Sequence, residues 1–169
     1  MAKPVVGILM GSDSDIPIMN EAASALRDLK IPFEMTISSA HRTPARTEKY
    51  VTTAEKRGIK VIIAGAGMAA HLAGVVASHT TLPVIGVPID SGPLNGLDAL
   101  LATVQMPSGM PVATVAIGKA GARNAGILAA QILGTTSAPI RTRLKAFKSK
   151  MARAVEAKAK KLEASLSEA

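Results

Sequence analysis

The sequence has no cysteine and no tryptophan, and only one tyrosine and two phenylalanines. The first absence excludes disulfides, thiolate metal ligands and a cysteine nucleophile. With aromatics at 2%, the core has to be assembled from Val, Ile, Leu, Ala and Met. Long apolar runs are also missing. Stretches such as Val61–Ala64 are far too short to cross a bilayer. The first residues lack the charged segment and apolar stretch of a secretory leader. The expectation is a soluble cytoplasmic protein. Only three histidines are present, with no H-x-x-x-H or H-E-x-x-H spacing, so no metal cluster is expected.

What is present fits one globular domain. The chain has 169 residues, 48% of them hydrophobic, enough to bury a sizeable core. Its net charge is +8, and the excess is local. Residues 1–140 carry 11 Lys/Arg against 9 Asp/Glu, a balance of +2, whereas residues 141–169 carry 9 against 3, a balance of +6. A basic tail of this kind reads as a solvated helix face. Binding of nucleic acid or an anionic surface through the tail is the alternative and is not expected.

Short apolar runs alternate with amphipathic stretches. Strands are expected at Val5–Met10, Phe33–Ile37, Val61–Ala64, Leu82–Val87 and Val112–Ile117. Helices are expected at Asp15–Lys30, Thr43–Arg57, Met68–Ser78, Leu94–Val104 and Lys119–Leu133, followed by a long helix from Pro139. Pro44 suits a first helical turn and Gly58 a helix C-terminus. This alternation implies βαβ units around a parallel sheet. The expected fold is a three-layer α/β/α sandwich, flavodoxin-like or Rossmann-like, with five parallel strands. Residues 1–137 form the expected catalytic domain and 138–169 a basic helical extension. The extension's apolar positions Leu144, Phe147, Met151, Val155 and Leu162 can pack on the domain or on another subunit.

Ligands of open parallel sheets bind beyond the carboxyl ends of the strands, which directs attention to three loops. The first, Gly11–Asp15, packs two Ser and two Asp into four positions. Ordinary helix capping explains one or two of them. Hydroxyls and helix N-terminal amides can also hold phosphate, and a carboxylate can accept from ribose hydroxyls. The second, Ser38–Pro44, carries the pair His41 and Arg42. Arg42 can bind phosphate bidentately. The imidazole of His41 can act as a base or shuttle a proton near neutral pH.

The third loop, Gly65–His71, imitates a dinucleotide fingerprint through Gly65, Gly67 and Ala70, with Asp90 about 20 residues further on. The fingerprint belongs in the first βα unit, however, and His71 follows one turn into the expected helix. A glycine loop that admits a small anion is preferred. A phosphorylation receiver domain is rejected, because Gly65–Gly67 stand where its acceptor aspartate is needed. His79 is read as structural or surface. Lys119 is read as either near the site or in a turn.

Several segments in order resemble the PurE family. They are Met10–Asp15 (MGSDSD), Ser39–Pro44 (SAHRTP), Gly65–Leu72 (GAGMAAHL), Gly86–Pro88, Val104–Pro107 and Ile117–Gly121. The resemblance implies an N5-carboxyaminoimidazole ribonucleotide mutase that moves a carboxylate from an exocyclic nitrogen to the ring carbon, with no metal or other cofactor. It implies His41 as acid and base, Ser12 and Asp15 on the nucleotide, and Ser39 and Arg42 on the phosphate. His71 and Leu72 would enclose the carboxylate and the base. Ser14, Ala40, Gly67 and Ala70 belong to the same loops and are expected against the substrate. Met68 stands where the family commonly has glycine, and Ala73 where it often has proline. The resemblance also implies a homo-octamer whose C-terminal segment reaches a neighbour. The sister reaction, direct carboxylation of aminoimidazole ribonucleotide by CO2, and a non-catalytic nucleotide-binding module remain alternatives.

Overall fold

A computed structural model describes residues 3–167. Residues 1, 2, 168 and 169, at the outer ends of the two expected segments, lie outside the described residues. The chain runs β1 (Val6–Met10), α1 (Ile16–Asp28), β2 (Phe33–Ile37), α2 (Pro44–Arg57), β3 (Val61–Gly67) and α3 (Leu72–Ser78). It continues through β4 (Val84–Ile89), α4 (Leu97–Val104), β5 (Ala113–Thr114), α5 (Gly118–Gly134) and α6 (Ala138–Ser167). One 3-10 turn, Asp13–Asp15, joins β1 to α1.

The five strands form one parallel sheet in the order β2-β1-β3-β4-β5. This is the expected flavodoxin-like arrangement. β1, β3 and β4 are central and covered on both faces, which is why they read as unbroken apolar runs rather than alternating ones. Val6, Ile8 and Met10, with Val61, Ile63, Ile85, Val87 and Ile89, face α1 and α5. Leu9, Ile62, Ala64 and Val84 face α2 and α3. α1 and α5 meet through small residues, Ala22 and Ala23 against Ala122, Ala125 and Ala129. Alanines at helix contacts let the axes approach closely and leave the sheet as the main source of bulk.

Local signals account for most element ends. α2 starts at Pro44 and stops at Gly58, whose φ of 102° is the left-handed conformation a glycine C-terminus takes. Arg57 pins α2 to β2: it pairs with Glu34 at 2.8 Å and lies 4.5 Å over the Tyr50 ring.

Several boundaries differ from the sequence reading, most by one or two residues, and β3 runs three residues further, through Gly67. β4 runs two residues further, through Pro88. The Gly86 carbonyl accepts from Val115 N–H on the β5 side. Pro88, two residues on, faces the same side, where β5 pairing has already ended, so its missing N–H is not needed. β5 is two residues long rather than six, because only Ala113 and Thr114 pair with β4. α3 starts at Leu72 rather than Met68. Met68 has φ 54°, and His71 is the N-cap of the helix rather than one turn inside it. α4 starts at Leu97 rather than Leu94, because Asn95 and Gly96 are both left-handed.

The first turns of α6 join the core. Leu144 is buried, with Ile140 and Phe147 packed beside it, and Arg143 Nε donates to the Leu29 carbonyl at 2.6 Å. Residues 148–167 are exposed throughout.

Candidate active site

The strand order reverses between β1 and β3, and the chain leaves the carboxyl ends of β2, β1 and β3 side by side. Such a switch point opens a crevice. A cleft of about 500 Å3 lies there, in the range of small-ligand sites. It is lined from the β1 loop by Gly11, Ser12, Ser14 and Asp15, and from the β2 loop by Ser39, Ala40, His41 and Arg42. The β3 side contributes Ala66, Gly67, Met68, Ala69 and Leu72, and the β4 loop adds Ser91.

The β1 loop is shaped by a reciprocal cap. Ser12 Oγ accepts from Ser14 N–H, and Asp15 Oδ2 accepts from Ser12 N–H at 3.0 Å. Asp15 is only 4% exposed. Burial raises its carboxyl above the ordinary value, against hydrogen bonds from the Ser12 amide, the Ser14 hydroxyl and the Gly11 amide. Exposed Asp13 moves the other way, lowered chiefly by the Ser12 hydroxyl. One loop thus holds two carboxyls in opposite environments.

The β2 loop is anchored from below. Buried Ser38 and buried Thr47 share a hydrogen bond of 2.8 Å, which ties the end of β2 to the inner face of α2. Above them, Ser39 Oγ accepts from Arg42 N–H at 3.2 Å, and Thr43 Oγ1 accepts from Ser39 N–H at 3.0 Å. Arg42 Nη2 reaches across to the Gly11 carbonyl at 3.2 Å, which joins the first two loops. Backbone and hydroxyl groups therefore fix the turn that presents His41 and Arg42.

His41 Nε2 lies 2.8 Å from His71 Nδ1, with the rings edge to face at 79° and their centroids 4.9 Å apart. Residues 30 positions apart in sequence therefore form one imidazole pair at the cleft. At least one of the two nitrogens must offer a lone pair, because two N–H groups cannot face each other at this distance. The arrangement suits uptake and return of a proton beside a bound ligand. Arg42 supplies the cation for an anionic group.

Of the expected site residues, Ser12, Ser14, Asp15, Ser39, Ala40, His41, Arg42, Gly67 and Leu72 line the cleft. Ala70 and His71 do not: Ala70 is buried beneath the loop, and His71 reaches the cleft through His41. Lys119 stands in the first turn of α5 rather than in a connecting turn, and His79 ends α3. Neither lines the cleft. Asp90 lies against Gly118 instead of the cleft, away from where a dinucleotide-binding acid belongs. Gly11, Ala66 and Ala69 of the same loops line the cleft beside the expected residues, and two residues near it, Ser91 and Arg46, fall outside those loops. Ser91 follows β4, whose end was placed too early. Arg46 lies beside Arg42 in an adjoining shallow opening and donates to Thr36 Oγ1 at 3.0 Å. Its signal was a second arginine four residues after Arg42, in the first turn of α2. Among the described residues, no group of three or more His, Asp or Glu is placed to hold a metal ion, and no helix is long and apolar enough to cross a membrane.

The family model described as AIR carboxylase matches residues 5–154. The chain belongs to the AIR carboxylase family. The PurE resemblance carried by the three loop motifs is thus a family relationship. A Pyrococcus horikoshii protein named N5-carboxyaminoimidazole ribonucleotide mutase is 60% identical over 161 residues, covering 95% of this chain and 90% of that protein. A Thermotoga maritima protein of the same name is 59% identical over 160 residues, covering 95% and 92%. The crystal structure of Treponema denticola PurE superposes with a TM-score of 0.86 at 30% identity, over 94% of this chain and 98% of that one. The family fold is therefore shared over nearly the whole chain.

Proposed function

We propose that this chain converts N5-carboxyaminoimidazole ribonucleotide into 4-carboxy-5-aminoimidazole ribonucleotide, a step of purine biosynthesis, a reading supported by relatives named N5-carboxyaminoimidazole ribonucleotide mutase. The observation that carries the reading is the imidazole pair of His41 and His71 in a switch-point cleft that also presents Arg42.

In this reading Ser39 and Arg42 hold the phosphate, and Ser12, Ser14 and Asp15 engage the ribose side. This anchors the substrate remote from the reacting atoms. Leu72 and Ala40 border the base. The nitrogen–carbon bond of the carbamate breaks, its electron pair returns to nitrogen, and His41 supplies the proton. CO2 stays in the space bounded by Gly67 and Ala69. The ring carbon attacks it, and His41 removes the ring proton, which restores aromaticity and its own starting state. Holding CO2 beside the ring replaces a bimolecular recapture with an intramolecular step. No cofactor enters this sequence.

The reading extends to the assembly and its setting. The chain acts as a cytoplasmic homo-oligomer, an octamer by family resemblance, with residues 138–169 as a helical extension whose outer part packs on a neighbour. That use of the extension accounts for the tail without nucleic acid.

The test supplies the carbamate nucleotide, and separately its decarboxylated form with bicarbonate, at low CO2. Conversion of the first alone supports the mutase. Product formed only from the second assigns the sister activity, the direct carboxylation named in the family description.

A further inference from the structure

We propose that the Ser91 hydroxyl contacts the transferred carboxyl group, and so lets the cleft tell a carboxylated aminoimidazole nucleotide from its decarboxylated form. This deepens the reading above and rests on it.

Ser91 stands two residues beyond the end of β4 at Ile89, and it lines the cleft together with His41 and Arg42. Its position explains a glycine. A Cβ on Gly67 would strike Ser91 Oγ and lie 3.0 Å from Ser91 Cβ. Gly67 is the last residue of β3 and does not take a left-handed backbone. Glycine is therefore needed there for space and not for conformation, as where another segment approaches a strand closely. The space it leaves is the space the Ser91 hydroxyl occupies.

The hydroxyl is also uncommitted. Of the four serines that line the cleft, Ser12 donates to Asp13, Ser14 donates to Asp15, and Ser39 accepts from the Arg42 amide. Ser91, the fourth, makes no such bond among the described residues. Its O–H is free to donate to a ligand. On the β3 side the lining beside it is Ala66, Gly67 and Ala69. Of these four residues, Ser91 alone offers a side-chain donor.

The chemistry gives that donor an acceptor. In the reading above, Ser39 and Arg42 take the phosphate and His41 handles the proton, while the carboxyl group travels beside Gly67 and Ala69. The group is anionic on the exocyclic nitrogen and anionic again on the ring carbon. An ionised acceptor makes the stronger kind of hydrogen bond. A hydroxyl on the Gly67 side holds one carboxyl oxygen at the start and at the finish, and the uncharged CO2 between them has the shortest way to go. The decarboxylated nucleotide has no such oxygen and leaves the hydroxyl to water.

The experiment compares two nucleotides on two proteins. Wild type and Ser91→Ala are titrated by calorimetry with 4-carboxy-5-aminoimidazole ribonucleotide and with aminoimidazole ribonucleotide, and thermal melts confirm that both proteins are folded. Ser91→Ala should bind the carboxylated nucleotide about tenfold more weakly, the scale of one lost hydrogen bond to a charged group. It should bind the decarboxylated nucleotide as wild type does. A role in packing alone predicts otherwise, since a displaced β4 loop would weaken both nucleotides together. Equal weakening toward the two, or no weakening toward the carboxylated one, overturns the contact and leaves the mutase reading standing. Failure of wild type to convert the carbamate nucleotide removes the mutase reading, while the difference in affinity still decides the contact. If wild type binds neither nucleotide, both fall.

Discussion

Two imidazole nitrogens 2.8 Å apart can share only one hydrogen on the line between them. His71 therefore fixes which nitrogen of His41 is free to face a ligand, and in the proposed mechanism it serves as a positioning residue. His71→Ala should lower kcat on the order of a hundredfold, the cost of a misplaced catalytic group. KM should change little, and the pH profile of kcat/KM should move. His71→Asn, whose amide can stand in for the ring nitrogen, should recover part of the rate. Steady-state kinetics across pH check this, and an unmoved profile would leave His71 a merely structural neighbour. Asp15 makes a different prediction. Its carboxyl is raised in the folded state, first by burial. The folded protein then binds that proton more tightly than the unfolded chain. Stability contributed by this group is gained as pH falls through the raised value and is lost above it. Asp15→Asn, which keeps an acceptor for the Ser12 amide, should therefore melt higher than wild type near neutral pH. The gap should close in acid. Thermal melts between pH 3 and 7 give the comparison, and a gap that widens in acid would contradict it.

At the scale of elements, the site depends on how β2 is joined to α2. The Ser38–Thr47 hydrogen bond is buried at both ends. Ser38→Ala should cost about 1 kcal/mol of stability, a typical net hydrogen bond, and should also weaken substrate binding because Ser39 and Arg42 stand directly above. Chemical denaturation and a binding titration would show both losses together. A stability loss with unchanged affinity would mean the turn is held by Thr43 alone. The joint was not read from the sequence, since a serine at a strand end and a threonine nine residues later look unrelated until the helix turns its inner face. Other elements were plainer. β1, β3 and β4 were located because central strands covered on both faces are unbroken apolar runs, and α2 because Pro44 and Gly58 bracket it. The run Val112–Ile117 is just as apolar, but its pairing stops after two residues, and edge pairing leaves no mark in composition. The start of α3 was missed because nothing in a methionine announces a left-handed backbone. His41, Arg42 and the serines of the first two loops were found because strand ends of a parallel sheet converge. The His41–His71 contact was not, because it depends on where α3 begins.

For the whole molecule, α6 divides in two. Its first turns complete the core through Leu144 and Phe147. Beyond them Met151, Val155, Leu162 and Leu166 are exposed among the described residues. The proposal that a neighbouring copy covers them predicts the effect of ending the chain after residue 147. The truncated protein should keep its far-ultraviolet circular dichroism per residue of core, and light scattering should report a smaller assembly than the full chain forms. An unchanged mass would remove the tail from the interface. The central claim concerns the cleft, and His41→Asn tests it most directly, with turnover of the carbamate nucleotide and its binding measured on the same preparation. Binding should survive within a few-fold while turnover falls about a hundredfold to ten-thousandfold, the range for losing a general acid–base group. A variant that turns over like wild type would contradict the assignment of proton transfer to His41 and, with it, the account of the site.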